Sequence, residues 1–195
     1  LGSRSRSTWH YPLPTGRWGA EDDWPYRPRQ GDIVAVVSDG ERLDLLGGTA
    51  LGDSIVILQS FDVARRSWSV GPAVPDRVRG PMLVSAAGST WLIGSPFWRR
   101  RQEPRELAAG VVYRLGAGGV WDSVAVVPEP RVRARVAGDA QRISILGGDD
   151  PIGNWTRGIQ CMEVASTKWR STLNGDFDSI PEYIGLPRDA AAVNG

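Results

Sequence analysis

Leu43-Asp44-Leu45-Leu46-Gly47-Gly48 decides how this chain is read, because Trp91-Leu92-Ile93-Gly94 and Ile143-Ser144-Ile145-Leu146-Gly147-Gly148 repeat it. Each is a short apolar run that stops at glycine. Each is followed by a tryptophan at a similar distance: Trp68 lies 21 residues beyond Gly47, Trp121 lies 27 beyond Gly94, and Trp169 lies 22 beyond Gly147. The glycines themselves recur after 47 and then 53 residues. A period of about fifty residues, filled with short β-type segments, is the mark of small sheets repeated around an axis.

The same grammar extends outward from each glycine. Upstream stand apolar runs at residues 33–37, at Met82-Leu83-Val84, and at residues 132–136, where arginines alternate with small aliphatics. Turn signals follow them: Ser38-Asp39-Gly40, Ala87-Gly88-Ser89 and Gly138-Asp139. Such residues tolerate positive φ and suit tight hairpins. Downstream, a variable loop leads to third strands expected at 55–61, 110–115 and 158–164. The tryptophan then sits in a fourth. Two units run on into Pro and Arg, as Pro75 with Arg77 and Pro128 with Arg131.

Strand, strand, glycine pair, strand with an aromatic, strand with Trp: this order resembles the kelch repeat over residues 32–172. The second unit departs from the pattern with Gly94-Ser95, and the third places Met162 where the others are read as Phe61 and Tyr113. The resemblance implies an all-β chain, a kelch-like β-propeller of four-stranded antiparallel blades around a channel. It also implies that Trp68, Trp121 and Trp169 are buried between blades beside the third-strand aromatic.

Three blades do not close a ring, since four is the usual minimum. The propeller is therefore expected to be partial, or to have a composite fourth blade. Trp9, Leu13-Pro14 and Arg17 match the end of a unit, so residues 1–31 read as an N-terminal extension holding a partial repeat, its strand at residues 7–11, plus a docking arm. Residues 173–195 read as a tail or a blade-completing segment. An open propeller is expected to leave two uncovered apolar sheet faces.

Composition narrows the function. The chain has 195 residues, 41% hydrophobic and 23% charged, with a net charge of +1. That size and content allow a packed core, and the charge provides no global field for nucleic acid or membrane. Lys168 is the only lysine, so arginine carries the positive charge. This reads either as coding bias or as an arginine-rich interface, arginine making planar bidentate contacts. Cys161 stands alone, which excludes an intrachain disulfide and leans toward an intracellular setting, cytoplasmic or organellar. No apolar run is long enough for a membrane span.

Candidate binding residues lie in insertions relative to the repeat. One loop holds Phe97, Trp98, Arg99, Arg100, Arg101 and Arg105; it suits an acidic partner, a phosphate backbone, an RNA base stacked on Trp98, or plain solvation. The arm between Arg17 and Gln30 carries Trp18, Trp24 and Tyr26 among prolines and acids, and reads as an extended linker or a docking arm. Arg131, Arg133 and Arg135 alternate with period two, which predicts one basic strand face near the channel, either holding an anion or paired with neighbouring acids. Asn154-Trp155-Thr156 matches a glycosylation triplet that arises readily by chance.

Catalytic chemistry is sparse. His10 is the only histidine, and no Cys/His cluster exists for zinc or copper. Kelch-like copper oxidases need histidines that this chain does not offer, and the Asp-box of sialidase propellers is absent. Asp149-Asp150 reads as a solvated pair rather than a cation site. Gly116-Ala117-Gly118-Gly119 reads as a hairpin, since neither a helix nor a lysine follows it. The expectation is a non-enzymatic protein–protein interaction module, scaffold or accessory subunit, with no metal, cofactor or membrane insertion. The alternatives are a propeller enzyme or carbohydrate-binding lectin, and an RNA-contacting subunit of a ribonucleoprotein.

Overall fold

Local turn chemistry sets the strand order. In the computed structural model, Asp39 Oδ1 accepts the N–H groups of Glu41 and Arg42 at 3.0 and 2.7 Å. Asp139 does the same for Gln141 and Arg142 at 2.7 and 2.8 Å. Between those two hairpins, Ala87 and Gly88 both take positive φ (49° and 68°), the pairing of a tight two-residue turn matched to strand twist. A third carboxylate, Asp62, accepts the Arg65 N–H and pairs with its guanidinium; the backbone bond first, then the cation, holds its carboxyl below the ordinary 3.8.

The structure describes residues 8–10, 17, 19–21, 25, 35–49, 56–75, 78–95, 110–131, 133–150, 154–156 and 158–172. Two short strands come first, β1 (Thr8–His10) and β2 (Gly19–Glu21), paired antiparallel with Trp9 opposite Ala20. The one described neighbour of the expected N-terminal blade strand thus comes from the stretch read as an extended arm. Three sheets follow. Blade 1 is β3 (Ala35–Ser38), β4 (Arg42–Thr49), β5 (Val56–Asp62) and β6 (Ser67–Ala73). Blade 2 is β7 (Arg79–Ala86), β8 (Ser89–Ser95), β9 (Gly110–Leu115) and β10 (Trp121–Val127). Blade 3 is β11 (Arg135–Gly138), β12 (Arg142–Leu146), β13 (Ile159–Glu163) and β14 (Trp169–Thr172). Every sheet runs in sequence order with antiparallel neighbours, and β7 lies against both β3 and β11. The first strands therefore converge and the later strands radiate, as the repeat implied. No helix among the described residues is long and apolar enough to cross a membrane.

The core is two seams between blades. Leu46 and Leu58 of blade 1 meet Leu83, Leu92 and Trp121 of blade 2. Trp91, Ile93 and Val112 of blade 2 meet Ile143, Ile145 and Met162 of blade 3. Strand alternation makes this possible: in β8, Leu92 points to one neighbouring blade while Trp91 and Ile93 point to the other.

Register corrects one detail of the repeat. Leu46 pairs with Leu58, Ile93 with Val112 and Leu146 with Ile159, so Leu115, not Tyr113, occupies the position of Phe61 and Met162. The three tryptophans do sit at equivalent places, opposite Phe61, Leu115 and Met162. Phe61 and Trp68 form a tilted ring pair 5.2 Å apart. Trp121 is 9% exposed, and Trp68 and Trp169 are partly buried.

The outward blade faces also differ from expectation. On blade 1 the face turned from blade 2 carries Leu45, Ile57, Gln59 and Phe61, and all four are buried. The outward face of blade 3 is mixed rather than apolar: Ser144 Oγ lies 3.3 Å from Cys161 Sγ, and Arg170 bridges Glu163 at 2.8 Å. Charged pairs let a sheet face stay wet without a large apolar patch.

Candidate functional site

Antiparallel order puts two kinds of connection at the same end of every blade: the second-to-third-strand loop and the crossing to the next blade. In blade 3 these are the segments around 147–158 and 128–134. The two are stitched together by Arg131, which donates to the Gly147 and Gly158 carbonyls at 3.2 and 2.8 Å, to Thr156 Oγ1, and to Glu129 Oε2 at 3.0 Å. Gln160 adds a reciprocal pair with the Glu129 backbone, donating to its carbonyl at 2.7 Å and accepting its N–H at 3.1 Å. Buried backbone carbonyls need donors, and one guanidinium supplies several at once.

This corrects the reading of the three arginines. Strand β11 begins at Arg135, so Arg131 and Arg133 precede it and share no strand face with it. Arg131 is 6% exposed and turned into the loop. Arg133 takes φ of 56°, a conformation that costs a side-chain-bearing residue, and its guanidinium pairs with Asp149 Oδ2. Of the three, Arg135 is exposed and makes no ion pair among the described residues.

Hydrogen bonds tie the described residues of the loop to one another. Gly147 and Gly148 take φ of 59° and 87°, which turns the chain sharply out of β12. Thr156 N–H donates to the Gly148 carbonyl and Asp150 N–H to the Asn154 carbonyl, both at 2.8 Å. Asn154 returns two bonds to the Asp150 carboxylate at 2.8 and 2.9 Å. Asp149 is not the solvated acid expected: it is 3% exposed beneath Arg133. Directly across the loop from Asp149, in an antiparallel bridge, stands Trp155 at 69% exposure. The Arg133 guanidinium covers the Asp149 carboxylate, while the indole across the bridge stays open to solvent. Sequence reading met Trp155 only inside the glycosylation triplet. Its signal was an aromatic in a turn rich in Gly and Asp, without an apolar pattern to bury it.

Ser95 and Gly110, where β8 ends and β9 begins, open on the corresponding rim of blade 2. Phe97, Trp98, Arg99, Arg100, Arg101 and Arg105 lie outside the described residues, as do Trp18, Trp24 and Tyr26. Among the described residues no three His, Cys, Asp or Glu side chains gather as a metal site.

Three meander blades with converging first strands, buried interblade seams and a tryptophan at one repeated register are the architecture of a kelch-like β-propeller. Comparison with known proteins agrees. Over 198 residues the chain is 25% identical to the Kelch domain-containing protein 10 of Rattus norvegicus and to that of Mus musculus. Over 207 residues it is 24% identical to the Homo sapiens protein of the same name. Each match takes in 93% of this chain, and 45% of the rat and 42% of the mouse and human proteins. The chain thus spans less than half the length of the curated relatives it matches. No family model matches it.

Proposed function

We propose that this chain is a non-catalytic protein-interaction module that serves as a scaffold or accessory subunit of a larger assembly. The rim of blade 3 carries the reading: its acids are engaged by neighbouring side chains, Glu129 by Arg131, Asp149 by Arg133 and Asp150 by Asn154, while a tryptophan and arginines face outward. Acids committed to loop structure are poor general acids or bases. Exposed Trp and Arg combine large contact area with directed hydrogen bonds, the chemistry of interface hot spots. The names of the relatives, which speak of a kelch domain, are in keeping with an interaction module.

The test is stoichiometric co-purification with the tagged chain, followed by replacement of Trp98, Arg99, Arg100 and Arg101 by alanine. Retained proteins should fall away in the variant while the unfolding midpoint stays put, with greater loss at high salt. Retention that nuclease abolishes would favour the RNA reading. A chain that retains no protein at all would remove the proposal.

A further inference from the structure

We infer that the rim of blade 3, built by Arg133, Arg135 and Trp155, docks an acidic segment of a protein partner. A carboxylate of that segment meets Arg135, and an apolar side chain beside it covers the Trp155 indole. This rests on the interaction-module reading and names its partner chemistry.

Three observations converge. First, a tryptophan left 69% exposed is a large apolar surface given to water, yet it sits on a loop tied by four hydrogen bonds. Such order means that a ligand meets a prepared surface and loses little to loop freezing. Second, burial separates the charges. Asp149 lies beneath the surface, whereas the side chain of Arg133 is 77% exposed and Arg135 is exposed as well. Glu129 keeps 48% of its side chain exposed beside a buried Arg131, so the outward positive charge is confined to Arg133 and Arg135. Third, Arg135 begins β11 opposite Leu146, where β12 turns into the same loop, so it stands at the foot of the patch with no acid of its own among the described residues.

A single-stranded nucleic acid is less well served. It needs a run of stacking faces and a groove free of acids along its phosphates. Here one indole is presented, and Glu129 and Asp150, neither of them fully buried, share the rim. A short acidic segment has only one or two carboxylates to place.

The probe is a set of fluorescein-labelled short peptides, Asp/Glu-rich around one Leu or Phe, with matched Lys-rich peptides and a uridine oligomer, read by anisotropy against the intact chain. The acidic peptides should bind it best. Trp155→Ala and Arg135→Glu should each weaken them about tenfold or more, the size of a hot-spot loss. Arg135→Glu should shift preference toward the Lys-rich set. Both side chains are exposed, so unfolding midpoints should not move. The inference is overturned by equal binding to parent and variants, by preference for uridine, or by no acidic binding to the parent. Should the double variant still retain stoichiometric protein partners, this docking site falls and the interaction-module reading stands.

Discussion

The two interblade seams solve the same packing problem with different chemistry. Asp44 of blade 1 and Trp91 of blade 2 occupy equivalent positions on the second strand, each turned toward the following blade. Trp91 fills its seam with an indole 2% exposed, ties its Nε1 to the Ala86 carbonyl at 2.9 Å, and lies 5.9 Å under the Arg114 guanidinium. Asp44, equally buried at 2%, builds a polar knot instead. Ser60 Oγ donates to it at 2.6 Å, Arg42 Nε lies 3.0 Å away, and Thr90 of blade 2 donates across the seam. Arg42 also donates to the Thr90 hydroxyl at 2.7 Å. The apolar seam draws strength from area and permits close approach: a Cβ on Gly138 would lie 2.8 Å from Val84 Cγ2 and 3.0 Å from Ala86 Cβ. The polar seam draws direction from hydrogen bonds, because a buried carboxylate is tolerated in one arrangement only. Blade order is thus enforced by fit on one side and by partner chemistry on the other.

Removing the indole should hurt most. Trp91→Ala is expected to cost about 3–5 kcal/mol in urea unfolding, through lost transfer energy and a cavity shared by two blades. A loss under about 1 kcal/mol would mean that the second seam does not depend on its largest side chain. Gly138→Ala should come next, at about 1–3 kcal/mol, because the added methyl meets β7 on both sides of the Ser85 carbonyl. Gly118→Ala, with nothing within 4 Å, is the silent control. The smallest effects belong to the polar knot. Asp44→Asn should cost about 1 kcal/mol, since the charge leaves but one acceptor stays. Asp44→Leu combined with Thr90→Val should come close to neutral, turning the first seam into a copy of the second. If the double variant is much weaker than Asp44→Asn, the knot contributes more than direction, and the contrast between the seams is wrong.

Sequence alone determined the three repeats, the meander order of their strands and the hairpin turns. Those signals are local: apolar runs, an Asp or Gly at a fixed offset, and a recurring glycine followed by tryptophan. It also identified blade 3's arginines as notable without seeing their roles. Tertiary structure decided which face each residue takes. A strand has period two, so one misplaced boundary inverts every side chain beyond it. Tyr113 was aligned where Leu115 belongs by a two-residue slip, which keeps the face and changes the cross-strand partner, and Arg131, 6% exposed, was read as a channel-facing strand residue although the strand begins only at Arg135. It also brought Asp44 to Thr90 across 46 residues and left Trp155 outside the core. Both outcomes depend on how blades pack against each other, a non-local arrangement that no window of sequence contains.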